Sequence, residues 1–512
     1  MRDDAHVVVV GAGMGGLVSA LLLSHQGVRV TVVEGAQAPG GKIRQLDVNG
    51  CAIDSGPTVF TMRWVFDELF DAVNASFDRE LKIQPLDVLA RHAWADGSAL
   101  DLFADVQASN DAIARFAGLA EAKNFERFCA KARSVYDTLQ APYIQSPSPS
   151  VVQIMKALGP RGLGVLASLG AMSSLWDSLG RYFKDQRMRQ LFARYATYCG
   201  SSPWLAPATL MLIAQVEMDG VWSIEGGMHA LPRCLERMAK QRGVTFMYGQ
   251  PCKSIDTQGG KVSGVSLGEG GYLPADAVVF NGDVSALHAG LLGADVAKPT
   301  AQANRERSLS AITWSMVAKT SGMPLERHNV FFQNTYADEF EAIFNRKALP
   351  DKPTVYVCAQ DRGIDAPVPE EGERLLCLVN APAVGDQDVL THEAIEQCQH
   401  NSFQLLQQCG LQLHSTPSQM QRTTPIEFNR LFAGTGGALY GQATHGWMAA
   451  FARPNAKSLI PGLFLAGGSV HPGPGVPMAA MSGRLAGAAV MAHLASTKRS
   501  TLAVTSGGMS MH

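Results

Sequence analysis

Charge is scarce and evenly divided in this 512-residue chain: 17% of its residues are charged, and 43 Lys and Arg against 45 Asp and Glu leave a net charge of −2. A chain without a basic field offers no electrostatic hold on a polyanion, so a nucleic-acid partner is excluded. Cysteine is thinly scattered, nine single residues with no C-x-x-C pair and an odd total, which argues against a disulfide framework and a zinc site. The thiols read as small core residues in a reducing compartment, and no metal is expected. Long apolar runs are missing too. No uncharged stretch reaches the ~18 residues of a spanning helix, and Met1 to His6 leads straight into a strand, so neither an integral membrane protein nor a signal peptide is expected. Internal repeats are also lacking. The remainder, with 46% hydrophobic residues, is a globular chain of roughly two or three domains.

Glycine is plentiful, at 51 residues, and its placement is ordered. The apolar strand His6 to Val10 runs into Gly11-x-Gly13-x-x-Gly16, a helix continues to Gly27, and a second apolar strand from Val28 ends on Glu34, 23 residues after Gly11. Strand, glycine turn, helix, strand and acidic residue in that order form a dinucleotide-binding βαβ fingerprint. Gly11 permits the tight turn, Gly13 lets backbone N–H groups approach a pyrophosphate, and Gly16 lets the helix lie close to the strand. Glu34 is placed to accept hydrogen bonds from an adenosine ribose, and its charge disfavours a 2′-phosphate.

Further glycine turns follow at Pro39 to Lys42, at Asp54 to Thr58 and, near the other end, at Gly467 to Gly475. A mostly helical pattern is expected from about 65 to 215. Nucleotide-domain character then returns, with a helix from Gly226 to Gly243 and strands at 244–248, 261–265 and 277–281. Strand-like runs at 354–358 and 375–379 and a helix from Thr391 to Gln408 lie in between, and Leu463 to Gly468 leads into an alanine-rich helix opened by Pro477. The expected fold is α/β. A Rossmann-like nucleotide domain is assembled from residues 1–90, 216–290 and 431–495, with a helical substrate or membrane-facing region at 91–215 and a mixed α+β substrate domain at 291–430. Residues 496–512 read as a flexible tail.

Glycine turns so far apart in the chain suit a longer, buried cofactor better than NAD. FAD spans such a site, its adenosine on the first βαβ unit and its flavin under the C-terminal turn, where a helix N-terminus faces the edge that becomes negative on reduction. No Cys or His lies in a flavinylation motif, so non-covalent FAD is expected.

Taken together, Gly11 to Gly16, Glu34, Gly40-Gly41, Asp54 to Thr58, Tyr198 to Pro203, Gly220 to Met228, Ala275 to Asn281 and His471-Pro-Gly-Pro-Gly-Val-Pro477 resemble the bacterial phytoene-desaturase-type carotenoid desaturases over nearly the whole chain. Asp54 to Phe66 is most similar to the 1-hydroxycarotenoid 3,4-desaturases of phototrophic bacteria. The resemblance implies cofactor contacts from Gly41, Lys42, Gly56, Pro57, Thr58, Cys252, Gly467, Gly468, Val476, Pro477 and Met478, besides Gly11, Gly13, Gly16 and Glu34. It implies a hydrophobic acyclic carotenoid substrate, an electron acceptor such as oxygen or quinone, and a peripheral position on the cytoplasmic side of a bacterial membrane. Phytoene desaturation, and lipid carriage without catalysis on the same fold, are the alternative readings.

Three departures from relatives matter. Lys42 stands where many carry Arg, Ser469 and Val470 stand where flavin amine oxidases place an acid, and no Arg-Asp pair occurs at Val151 to Met155. No catalytic acid or base is therefore carried over. His471 is the one titratable residue beside the expected flavin to test as a proton acceptor, against its reading as a histidine that orients the turn. Thr58, Arg63, Tyr440 and His445 are candidates to bind a substrate hydroxyl. Gly162 to Trp176, uncharged and too short to span, reads as an interfacial helix or a core helix. Its surroundings, 151–200, hold seven basic residues (Lys156, Arg161, Arg181, Lys184, Arg187, Arg189 and Arg194) against Asp177 and Asp185.

Overall fold

Four consecutive valines fill the first strand, His6–Val10, and every residue of it is buried. A strand apolar on both faces belongs inside a sheet covered on both sides. In the computed structural model, which describes residues 5–158, 172–300, 306–363 and 367–506, this strand is the middle of a five-stranded parallel sheet. The order is Leu463–Leu465, Ala277–Phe280, His6–Val10, Arg29–Val33, Thr245–Met247, so strands from distant parts of the chain lie side by side.

One face of this sheet is covered by the helices Met14–His25, Ala230–Lys240 and Val476–Ser506. The first and last approach at backbone distance: Ser19 Oγ donates to the carbonyls of Gly15 and Gly483 (2.8 and 3.0 Å), and a Cβ on Gly483 would stand 2.4 Å from Gly15 O. The small residues hold the N-terminal and C-terminal glycine turns beside each other.

A second, larger sheet runs Leu411–His414, Ser310–Gly322, Glu373–Ala381, Val355–Ala359, His328–Phe332, Val88–Trp94, Ala99–Phe103, with Met420–Thr423 also paired to Ser310–Gly322. It is antiparallel except where His328–Phe332 meets Val88–Trp94. Its helical neighbours include Val106–Ala117, Leu119–Leu139, Gln186–Ala193 and Leu212–Met218, which share an aromatic core around Trp94, Phe128, Phe183, Phe192 and Phe332.

The structure bears on three sequence expectations. The helical reading of 65–215 misses Val88–Trp94 and Ala99–Phe103; the first is buried on both faces and so lacks the period-2 alternation that marks a half-buried strand. Of the stretch read as a tail, 496–506 continues the C-terminal helix to Ser506. Most of Gly162 to Trp176 lies outside the described residues. Trp176 itself is half-buried and stacked on Trp204 at 4.5 Å, with Arg189 over its ring at 4.0 Å, and so forms a packing contact. No helix among the described residues is long and apolar enough to cross a membrane.

Candidate functional site

The first glycine turn shows why each glycine is required. Gly11 has φ +100°, a conformation costly for residues with a Cβ, and its N–H donates to Val33 O at 2.8 Å. A Cβ on Gly16 would lie 2.1 Å from Gly11 O, and one on Gly13 2.7 Å from Asn281 Nδ2. The helix that follows starts at Met14 without a side-chain cap, leaving its first N–H groups for a ligand at the positive end of the helix dipole. Glu34 accepts from Ala12 N at 2.6 Å and Ala36 N at 2.8 Å. Its carboxylate has further lone pairs for ribose hydroxyls.

The later turns close around the first. Gly40 N donates to Ala12 O at 2.9 Å, and Gly56 packs so tightly on the Pro39 to Lys42 turn that a Cβ would sit 1.9 Å from Lys42 O. Gly467 N donates to Ser482 Oγ at 2.7 Å. Asn281, one residue beyond Ala277–Phe280, joins the two ends of the chain: its Nδ2 donates to Gly11 O at 3.2 Å, and its side chain abuts Gly15, Gly16 and Gly467. Its Oδ1 is buried without a partner among the described residues. Sequence reading noted Asn281 only as the end of a strand motif.

These turns bound one continuous cavity of about 1670 Å³. Typical ligand pockets hold about 300–1,000 Å³, so there is room for a dinucleotide and a second molecule. Gly11, Gly13, Glu34, Gly41, Lys42, Gly56, Pro57, Thr58, Cys252, Gly467, Gly468, Val476, Pro477 and Met478 all line it, whereas Gly16 lies behind the turn. Burial pushes the Cys252 thiol up to about 12 and keeps it protonated.

Two cations stand at the C-terminal-turn end of the cavity, Arg453 buried and Lys42 partly buried. Arg453, which the sequence did not single out, donates to the carbonyls of Tyr440, Gln442 and Gly468 at 3.1, 3.0 and 3.3 Å. Lys42 donates to Leu439 O at 2.6 Å. Burial lowers the pKa of both, with Asp283 supporting their charge. Ser469 Oγ accepts from Val284 N at 3.2 Å, a structural use of the position. His471 does not line the cavity. Its Nε2 donates to Ser146 O at 2.9 Å, its ring meets Tyr143 edge-on, and burial lowers its pKa to about 4, so it orients the turn and is a poor proton acceptor.

Past the flavin end the cavity becomes an apolar arm lined by Leu139, Ile144, Ile154, Met172, Leu210, Ile213 and Trp447. Met172 and Trp447 are also exposed (86% and 43%), as are neighbouring Val152, Leu205 and Met448.

Polar side chains interrupt the apolar walls, and two sets of them are hydrogen-bonded clusters. In one, Thr58 Oγ1 meets Tyr356 OH at 2.6 Å and Tyr356 OH meets His328 Nδ1 at 2.7 Å. In the other, Arg194 pairs with Glu217 at 3.3 Å and bonds Tyr198, while Tyr195 and Tyr198 each donate to Glu217 at 2.6 Å. Arg194 was counted among the basic residues around an interfacial or core helix; it is 5% exposed and faces inward. Of the four hydroxyl-binding candidates, Thr58 and Tyr440 line the cavity. Arg63 is paired with Asp67 and Asp78 elsewhere, and His445 is bonded to Glu306 outside the cavity.

Known proteins share this arrangement. The family model for flavin containing amine oxidoreductases matches residues 14–491. A hydroxyneurosporene desaturase of Rubrivivax gelatinosus is 56% identical over 511 residues, covering 98% of this chain and 96% of that protein. A 1-hydroxycarotenoid 3,4-desaturase of Flavobacterium sp. (strain P99-3) is 30% identical, covering 93% and 97%. Among solved structures, wild-type putrescine oxidase bound to putrescine aligns with TM-score 0.62 at 14% identity, covering 96% of this chain and 99% of its own, a likeness of fold alone. An uncapped helix start, an acidic ribose acceptor and a cationic floor at the far turn fit FAD, which is the cofactor. From residue 14 to 491, this chain belongs to the flavin containing amine oxidoreductase family.

Proposed function

We propose that the protein desaturates an acyclic 1-hydroxycarotenoid, such as 1-hydroxyneurosporene, at C3–C4 in carotenoid biosynthesis. The observation that carries this is one cavity running from the glycine cradle into an apolar arm that ends among exposed apolar side chains. The names of the 56% and 30% identical relatives support the same substrate class. Bound FAD would accept the hydride leaving an allylic carbon, and the adjacent carbon would release a proton as the new double bond forms. The chain's own part is to hold a polyene at fixed depth, keep water from the reacting bond with aliphatic walls, and seat the hydroxylated end on a polar group.

Access from a bilayer belongs to the same proposal. A water-insoluble polyene has to leave lipid, and the exposed Val152, Met172, Leu205, Trp447 and Met448 supply an apolar rim for interfacial contact, with Lys156, Arg181 and Lys184 exposed on the same stretch of chain. On this proposal the protein works peripherally on the cytoplasmic face of the membrane, where oxygen or a membrane quinone reoxidises the flavin.

The test is competition between 1-hydroxyneurosporene and phytoene on FAD-loaded protein in phosphatidylcholine liposomes, with products separated by chromatography. Preferential conversion of the hydroxylated substrate is expected. Preferential conversion of phytoene overturns the assignment.

A further inference from the structure

The proposed reaction oxidises a bond only a few carbons from a terminal hydroxyl, so the side chain that receives the hydroxyl has to stand at the flavin end of the cavity and present an accessible atom there. Residues 439–441 occupy that place. Leu439 O accepts from Lys42, and Tyr440 O accepts from Arg453 Nη1, which also reaches Gly468 O of the C-terminal glycine turn. Gly441, with φ +71°, lies so close to that turn that a Cβ would stand 2.9 Å from Ser469 Cβ. Tyr440 N donates to Ser308 Oγ at 3.0 Å, and the phenol ring lies on the backbone at Gly200, where a Cβ would meet ring carbon Cδ2 at 2.7 Å. The ring is therefore fixed in place, and none of these contacts uses the phenol oxygen.

Several polar side chains of the wall have hydrogen-bonding capacity to spare, so capacity selects none of them; access and position do. Tyr440 is half-buried and lines the cavity, and its hydroxyl has no partner among the described residues. Packing does not seal that hydroxyl off, as it does Arg194 Nε, Thr313 Oγ1 and His328 Nε2, so it opens on the cavity. Burial raises its pKa to about 12, which keeps the proton on the oxygen as a donor. Other tyrosines of the cavity are committed: Tyr143 donates to Ala450 O, Tyr198 donates to Glu217, and Tyr356 is bonded to Thr58 and His328. Tyr336 also keeps its hydroxyl without a partner among the described residues, but its ring stands in the aromatic core with Trp176, Trp204 and Phe340, whereas the backbone around Tyr440 is bound to the flavin turn.

We propose that the phenol of Tyr440 receives the terminal hydroxyl of the substrate and so sets the depth at which the carotenoid stops beside the flavin. Tyr440 is then the specificity-determining contact, while Gly200 and Arg453 position it. The assignment rests on the proposed desaturation of a 1-hydroxycarotenoid. A phenol both donates and accepts, so it pairs with an alcohol in either sense. A carotenoid without the hydroxyl leaves Tyr440 facing hydrocarbon with no partner, the kind of mismatch that discriminates more strongly than a missing methylene.

The experiment compares kcat/KM for 1-hydroxyneurosporene and for the same carotenoid lacking the hydroxyl, in phosphatidylcholine liposomes, using FAD-loaded wild type, Tyr440→Phe and Tyr336→Phe. Tyr440→Phe keeps the ring on Gly200 and removes one oxygen. The hydroxyl preference of wild type should fall about tenfold or more in Tyr440→Phe, through loss on the hydroxylated substrate and with flavin content unchanged, and should persist in Tyr336→Phe. If Tyr440→Phe does not fold, Tyr440→Leu, which also removes the hydroxyl, decides by the same ratio. A Tyr440 variant that keeps the wild-type ratio or loses its flavin, or a fall in Tyr336→Phe instead, overturns the receptor assignment. Wild type that shows no hydroxyl preference, or oxidises neither carotenoid, overturns the substrate reading on which the assignment rests.

Discussion

The glycine cradle and the substrate arm share one cavity and are built on opposite principles. The cradle is made of backbone: glycines at 15, 16, 40 and 56 bring main chain within distances no side chain would allow, and Asn281 ties the 11–16 turn to Gly467. The arm is made of side chains from the helices and the larger sheet, largely apolar with buried polar groups among them. A cofactor retained through the whole life of the protein is held by rigid, over-determined main chain. A substrate that enters and leaves meets nonspecific apolar surface with a few polar contacts that set its depth.

That contrast is broken most severely by Gly16→Val. A Cβ at 2.1 Å from Gly11 O has nowhere to go, so flavin retention after gel filtration should be abolished, while Ile213→Ala in the arm should leave flavin content unchanged and shift KM by a few-fold. Asn281→Ala should come next. Losing the bond to Gly11 O costs about 1–3 kcal/mol, which should appear as roughly ten- to hundredfold weaker FAD binding in a dilution assay read by flavin fluorescence.

The acid limb of stability sharpens the comparison from the arm side. Burial lowers His471 to about 4 and His328 to about 3 from 6.5. Between pH 6.5 and these values the unfolded chain binds protons that the folded protein does not, so these groups make stability fall as pH drops from 6.5 toward 4, with no contribution above 6.5. Urea midpoints across pH 4.5–7 should show this, and His471→Asn should flatten the slope.

The smallest effects are expected at the surface. Neutralising Arg181 and Lys184 should weaken flotation with anionic liposomes by about 1 kcal/mol each. Arg187→Gln should do less, because Asp185 holds that guanidinium at 2.7 Å.

The cradle was legible in the sequence because its signal is local: glycine spacing reports turns directly, and Glu34 follows its strand at a fixed distance. The arm was not. Arg194 and Glu217 are 23 residues apart, Thr58 and Tyr356 298 apart, and nothing in their neighbours shows that they meet. A basic residue in a basic stretch reads as surface until its burial is known, so Arg194 was counted with basic residues facing lipid or solvent although it lies inside. His471 shows the same limit, since its motif places it beside the turn while only the structure shows its nitrogen committed to Ser146.

The central claim is that the cofactor in the cradle oxidises what lies in the arm. Anaerobic mixing of FAD-loaded protein with 1-hydroxyneurosporene in liposomes tests it in a single turnover, following flavin absorbance and carotenoid product together. The account predicts bleaching of the oxidised flavin in step with one equivalent of a carotenoid carrying one more double bond. Flavin that stays oxidised while the carotenoid is bound unchanged would contradict it and mark the protein as a carrier.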